Sequence, residues 1–91
     1  MIFEWDENKN RSNKDKHGVD FESAATVFDD PLMQSRVDED GRWQSIGYSA
    51  GHILLLFVAH TYHETGEVVI RIISARRASK HEREWYEKGS F

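Results

Sequence analysis

The sequence predicts one α+β domain, in which an antiparallel β-sheet meander packs against two N-terminal helices and one C-terminal helix. The length of 91 residues is enough for a single small domain, residues 1–91. The chain is 38% hydrophobic and 31% charged, which is typical of folded globular proteins and not of disordered ones. Turn-forming pairs at Asp40-Gly41 and Thr65-Gly66 separate apolar runs, which indicates strands joined by hairpins.

The N-terminal third begins with a short strand at residues 2–5, where apolar side chains alternate. A first helix is expected at residues 6–18, because Asp6 suits an N-cap and Gly18 suits a helix C-terminus. This segment has no apolar side chain, so its periodicity alone would indicate a loop.

A second helix is predicted more clearly. Asp20 is a good N-cap, and Phe21, Ala24 and Phe28 follow at helical spacing. Pro31 ends this helix, because the residue before a proline is biased away from helical backbone.

Four strands follow, and they are predicted at residues 32–37, 42–49, 53–59 and 68–74. The run 53–59 is apolar throughout, which indicates a central strand buried on both faces. The run 68–74 is interrupted by one charged residue, Arg71, on the face that Val69 and Ile73 share.

A C-terminal helix is predicted to begin at Ser79, which forms a capping-box sequence with Glu82. The capping box explains the position of Glu82 without catalysis, and a catalytic role would require that one carboxylate oxygen stay free. Tyr86 lies one turn beyond Glu82, where it is either an aromatic residue at the edge of the core or a proton donor.

The histidines offer one candidate for proton transfer. His17 lies beside Gly18, where it either caps the first helix or passes a proton near neutral pH. His60, His63 and Glu64 have a spacing seen in metal sites, but they straddle a strand end and a hairpin loop. No metal site is therefore predicted.

Several classes of function are excluded. The chain has no cysteine, which rules out disulfide scaffolds, thiol catalysis and thiolate metal sites. It has no P-loop or G-x-G-x-x-G motif, so no cofactor is expected. The N-terminus has no apolar signal region, and the apolar run 53–59 is far shorter than the ~20 residues that span a bilayer. We expect a soluble, cytoplasmic protein that does not contact membranes.

The net charge of −4 conceals a strong asymmetry. Most of the 12 basic residues lie in two stretches: Lys9, Arg11, Lys14 and Lys16 beside His17, and Arg71, Arg76, Arg77, Lys80 and Arg83. If the stretches meet in the fold, an acidic protein carries a basic surface. Otherwise they form two separate solvated faces.

Arg71 is the most informative single residue. An unpaired guanidinium buried in an apolar strand would cost several kcal/mol, so Arg71 must face solvent, pair with a carboxylate or bind an anion. Glu67 and Glu82 are the candidate partners if its role is structural. The functional alternative is a phosphate clamp, because a guanidinium offers a planar bidentate fork.

The chain resembles the BrnT family of toxins from bacterial type II toxin–antitoxin pairs. The resemblance is carried, in order, by F-E-W-D at 3–6, N-K-D-K-H-G-V-D-F at 13–21, R-W to I-G at 42–47, R-I-I-S-A-R-R-A at 71–78 and E-R-E-W-Y at 82–86. It implies a RelE-like fold, endoribonuclease activity that halts translation, and a BrnA-like antitoxin that neutralises the toxin. It also implies contact with DNA only through that DNA-binding antitoxin. Carried over by position, it implies site roles for Arg71, Glu82, Lys16, His17, Arg76 and Tyr86.

RNA can be cut without a metal because its own 2′-hydroxyl is the nucleophile, so the protein must supply a base, cations and an acid. Arg71 and Arg76 are the candidates for the scissile phosphate. Glu82 or His17 would be the base, and His17 or Tyr86 the acid. The candidates for binding the RNA backbone are Lys14, Lys16, Arg77, Lys80 and Arg83. The alternative is a non-catalytic RNA- or protein-binding module that serves as a scaffold for an antitoxin repressor complex.

Overall fold

The computed structural model describes residues 1–91 and confirms the predicted order of strands and helices. The elements are β1 Ile2–Glu4, α1 Glu7–His17, α2 Phe21–Ala25, a 3-10 helix Thr26–Asp29, β2 Gln34–Val37, β3 Trp43–Tyr48, a 3-10 turn Ala50–His52, β4 Leu55–Thr65, β5 Glu67–Arg77 and α3 Lys80–Lys88. None of the helices has the length and apolar content that crossing a membrane requires.

The five strands form one sheet in the order β1-β5-β4-β3-β2. Strands β2 to β5 are the predicted antiparallel meander. Strand β1 pairs with β5 in parallel, with Ile2 opposite Val69 and Glu4 opposite Arg71, so the complete sheet is mixed. The pairing with β1 ends at Arg71, so the same edge of β5 has no strand partner beyond this residue. Helix α1 packs against β5 there.

The prediction that residues 53–54 begin the central strand was wrong. The backbone N–H of Ser49 donates to the carbonyl of Leu54 at 2.8 Å, and the backbone N–H of Leu54 donates to the Ser49 hydroxyl at 3.2 Å. These bonds close residues 49–54 into a loop, and Ile53 is 74% exposed. Strand β4 therefore begins at Leu55.

The sheet has a core on each face. On one face, α2 and the 3-10 helix pack against β4 and β5, and the buried residues are Val19, Phe21, Ala24, Val27, Leu56, Val58, Ile70, Ile72 and Ala75. On the other face, Tyr86 of α3 packs against Ile46 and Leu55. Because neighbouring residues of a strand point to opposite faces, Leu55 and Leu56 contribute to different cores.

Helix α1 is held by buried asparagines instead of an apolar stripe. The Asn10 Oδ1 accepts from the backbone N–H of Phe21 at 2.8 Å. The Asn13 side chain donates to the carbonyls of Val19 (2.9 Å) and Ala75 (2.7 Å), and its Oδ1 accepts from the N–H of Ala75 at 3.1 Å. These bonds explain how a helix without apolar side chains docks on the free edge of β5.

Gly47 marks the closest approach of β3 to the 3-10 helix. A Cβ atom at this position would lie 2.9 Å from Val27 Cγ1, and Val27 is fully buried. Asp30, which directly follows this 3-10 helix, also joins it to β3, because its Oδ2 accepts the backbone N–H of Tyr48 at 2.8 Å.

We expect Gly47→Ala to lower the free energy of unfolding by about 1–3 kcal/mol, as overpacked cores do. Denaturant unfolding measures this loss. In a Val27→Ala background, where the clashing methyl group is absent, the same substitution should cost clearly less. Equal costs in the two backgrounds would show that the Val27 contact is not the cause.

Candidate functional site

The fold places the end of the first basic stretch beside part of the second. Because Asn13 is hydrogen-bonded to Ala75, the last turns of α1 lie beside the end of β5. The exposed or half-exposed basic side chains on the last turns of α1, at the end of β5 and on α3 define what we call the basic end: Lys14, Lys16, His17, Arg76, Arg77, Lys80 and Arg83. Of these, Lys14 also borders a groove that Asp15, Asp20 and Glu22 line. Such a concentration of positive charge attracts polyanions although the whole protein has a net charge of −4.

Arg76 and Glu82 form a bidentate ion pair at the basic end. The two guanidinium nitrogens lie 2.7 and 2.8 Å from the two Glu82 oxygens, and Glu82 Oε1 also accepts from the backbone N–H of Ser79 at 2.8 Å. Burial raises the pKa of Glu82, but the hydrogen bonds from Arg76 and Ser79 outweigh it, so the net pKa is lowered. A catalytic role for Glu82 would require one free carboxylate oxygen, and both of its oxygens accept hydrogen bonds.

Tyr86 is buried and its hydroxyl donates to Asp30 Oδ2 at 2.7 Å. Burial and the neighbouring Asp30 carboxylate raise the pKa of Tyr86 far above its ordinary range. Burial also raises the pKa of Asp30, but the hydrogen bonds from Tyr48 and Tyr86 outweigh it and keep that pKa low. The phenol proton is thus engaged by Asp30, and the raised pKa of Tyr86 is far from the near-neutral range that suits a general acid.

Arg71 lies outside the basic end. Its side chain is 46% exposed, and its Nη1 is 3.4 Å from Glu4 Oε1. The structural alternative that paired Arg71 with Glu67 or Glu82 was wrong, because Glu67 pairs with the N-terminal amine and Glu82 with Arg76. Arg71 precedes Arg76 by five strand residues, so their Cα atoms lie about 16 Å apart. The structure does not bring these two arginines into contact.

The remaining candidates are exposed. His17 ends α1, and no side-chain hydrogen bond involves it. His60, in contrast, is buried, and its imidazole is hydrogen-bonded to Ser45 at 2.7 Å. Burial lowers the pKa of His60. His63 is exposed at the far end of β4.

Sequence reasoning missed His52. It lies in the turn Ala50–His52, which the sequence indicated only as a turn at Ala50-Gly51. In the fold, His52 stacks on Tyr48 and borders a groove of about 430 Å³ that Arg77 and Arg83 also line. No local pattern could have revealed this group, because its members come from three separate parts of the chain.

Comparisons with known proteins agree on one family. Residues 5–82 match the family model described as the ribonuclease toxin BrnT of type II toxin–antitoxin systems. No curated protein sequence matches the chain. The 1.1 Å crystal structure of the Brucella abortus ribonuclease toxin BrnT is 25% identical, with a TM-score of 0.66 over 88% of this chain and 100% of that one. The chain therefore belongs to the BrnT family of ribonuclease toxins of type II toxin–antitoxin systems.

Proposed function

We propose that this protein is a toxin that cuts RNA in the cytoplasm by attack of the 2′-hydroxyl, without a metal ion, and thereby inhibits translation. The observation that carries the proposal is the basic end, which α1, β5 and α3 build together on an acidic protein. RNA has a dense line of phosphates, and surface cations bind such a polyanion without regard to sequence.

The contacts within the protein support separate roles for these residues. Lys14, Lys16, Arg77, Lys80 and Arg83 hold the RNA backbone. Arg76 is fixed by Glu82, which offsets part of its charge, and is supported by the Phe57 ring at 4.3 Å. Its Nε–H is not used in this pair and is the group that would face a phosphate. Arg71 binds RNA farther along β5. His17 is the candidate base for the 2′-hydroxyl proton, whereas Glu82 and Tyr86 act by positioning their neighbours.

Membership of a type II toxin–antitoxin family implies an antitoxin partner. We propose a BrnA-like, DNA-binding antitoxin whose acidic side chains cover the basic end, so that the toxin reaches DNA only through this partner. Covering the cations would neutralise the toxin because the same charges bind RNA.

The purified protein should cleave single-stranded RNA in the presence of a chelator. The fragments should end in a 2′,3′-cyclic phosphate or in the 3′-phosphate formed by its hydrolysis, because the 2′-oxygen becomes bonded to phosphorus. The control is the same oligonucleotide with a single 2′-deoxy substitution, which should resist cleavage at that nucleotide. Fragments with 3′-hydroxyl ends, or a requirement for divalent metal, would contradict the mechanism. Binding of RNA without cleavage would favour the non-catalytic scaffold.

A further inference from the structure

A groove at the edge of the basic end contains a histidine, His52, that has no role in the proposed function so far. It lies between the turn Ala50–His52 and the start of α3 and measures about 430 Å³. Four apolar residues line it, and its polar side chains are Tyr48, His52, Arg77 and Arg83. Two cations and an imidazole thus surround an open space that is large enough for a phosphate and its sugar.

His52 is held in an unusual backbone conformation. Its φ of 59° lies in the left-handed region, where only glycine rests without strain, and such a residue costs of order 1–3 kcal/mol. Its backbone N–H donates to the carbonyl of Ser49 at 2.9 Å, and its ring stacks on Tyr48 with the centroids 3.7 Å apart and the planes at 19°. These contacts fix the imidazole at the wall of the groove.

The Tyr48 ring on which His52 stacks is itself held in place. The backbone N–H of Tyr48 donates to Asp30 Oδ2 at 2.8 Å, so the wall that carries His52 is tied to the end of the 3-10 helix Thr26–Asp29.

The groove is also continuous with the basic end. Arg83 Nη1 lies 3.2 Å from the hydroxyl of Tyr48, so this arginine connects α3 to the wall that carries His52. Arg77 ends β5 and directly follows Arg76, whose pair with Glu82 anchors the start of α3. An RNA strand bound at the basic end can therefore pass one phosphate into the groove.

We propose that this groove holds the scissile phosphate and that His52 protonates the leaving 5′-oxygen; the inference rests on the proposed RNA cleavage. Arg77 and Arg83 bind the non-bridging oxygens. The 2′-oxygen bonds to phosphorus and its proton passes to the base, for which His17 is the candidate. The bond from phosphorus to the 5′-oxygen breaks, that oxygen takes the His52 proton, and solvent reprotonates the imidazole. The arginines stabilise the added negative charge on phosphorus.

The decisive variant is His52→Asn, because asparagine tolerates a positive φ better than most residues and cannot transfer the proton. His63→Asn is the matched control, since His63 is exposed outside the groove. We expect His52→Asn to slow cleavage by about 10²–10⁴-fold, as loss of a general acid does, while His63→Asn leaves the rate unchanged. Both variants should bind a 2′-deoxy oligonucleotide like the unmodified protein.

A substrate with sulfur in place of the 5′-bridging oxygen separates proton donation from a structural role. A thiolate leaves without protonation, so His52→Asn should cleave this substrate at nearly the rate of the unmodified protein. If His52→Asn cleaves the normal substrate as fast as His63→Asn does, or if sulfur gives no rescue, the assignment of His52 is overturned and the proposed ribonuclease activity stands.

Absence of cleavage by the unmodified protein would instead overturn the proposed function. In that case, the phosphate site in the groove is tested separately. The 2′-deoxy oligonucleotide is added to the protein, and the NMR signal of the His52 imidazole is followed. A shift of that signal, lost in Arg77→Ala with Arg83→Ala, supports a phosphate site in the groove. An unchanged signal on binding rejects it.

Discussion

Replacement of Glu82 by alanine is expected to lower the free energy of unfolding by about 2–4 kcal/mol at neutral pH. The side chain is only 9% exposed, and its loss removes both hydrogen bonds to Arg76 and one to the N-cap Ser79. Breaking a buried pair leaves the remaining charge without compensation, although Arg76 is 41% exposed, which limits the cost. Chemical denaturation of the two proteins measures the difference.

The difference should depend on pH. The pKa of Glu82 is lowered in the folded protein from an ordinary value of 4.5. A carboxyl group whose pKa is lowered by folding stabilises the folded protein at every pH above its pKa in the unfolded chain. This stabilisation is lost as the pH falls through its pKa in the folded protein. The advantage over Glu82→Ala should therefore be complete at neutral pH and shrink below about pH 4.5, the unfolded value. A difference that stays constant into strong acid would show that the charge is not responsible.

The same position tests the catalytic alternative. Glu82→Gln keeps the shape of the side chain but accepts fewer hydrogen bonds and cannot act as a base. If Glu82 is a positioning residue, cleavage per folded molecule should fall far less than in His52→Asn. A loss of cleavage equal to that of His52→Asn, in a variant that is still folded, would restore Glu82 as the base.

Replacement of Asn13 by alanine should have a comparable effect on stability, about 2–4 kcal/mol. The substitution leaves the N–H and carbonyl of Ala75 and the carbonyl of Val19 without their partner in a buried place. Because α1 has no apolar stripe, no hydrophobic contact replaces these bonds. Ser12→Ala is the matched control on the exposed side of α1, and it should be nearly neutral since alanine favours helices.

Asn13→Ala should also weaken the binding of RNA, because α1 carries Lys14, Lys16 and His17 to the basic end. Unfolding curves and RNA binding measured in the same preparation reveal both effects. If Asn13→Ala is as stable as Ser12→Ala, the asparagine is not what attaches α1 to the sheet.

The sequence by itself determined the elements and the family. Asp6, Asp20 and Ser79 cap the three helices as predicted, because a cap depends only on residues within one turn. The hairpin turns were predictable for the same reason, because each depends on a pair of neighbouring residues. The motifs shared with BrnT toxins lie along nearly the whole chain, so the family too was visible without a structure.

Only the tertiary structure decided which charged and polar groups meet. From the sequence, Glu67 and Glu82 were the candidate ion-pair partners of Arg71. In the structure, β1 pairs with β5, so Arg71 pairs with Glu4, and Glu82 pairs with Arg76. Similarly, Asn13 reaches Ala75 across 62 positions. Tyr48 and Arg83, which meet at the groove, are 35 positions apart. Contacts at such separations follow from sheet register and helix docking, and a polar side chain carries no periodic signal of its distant partner.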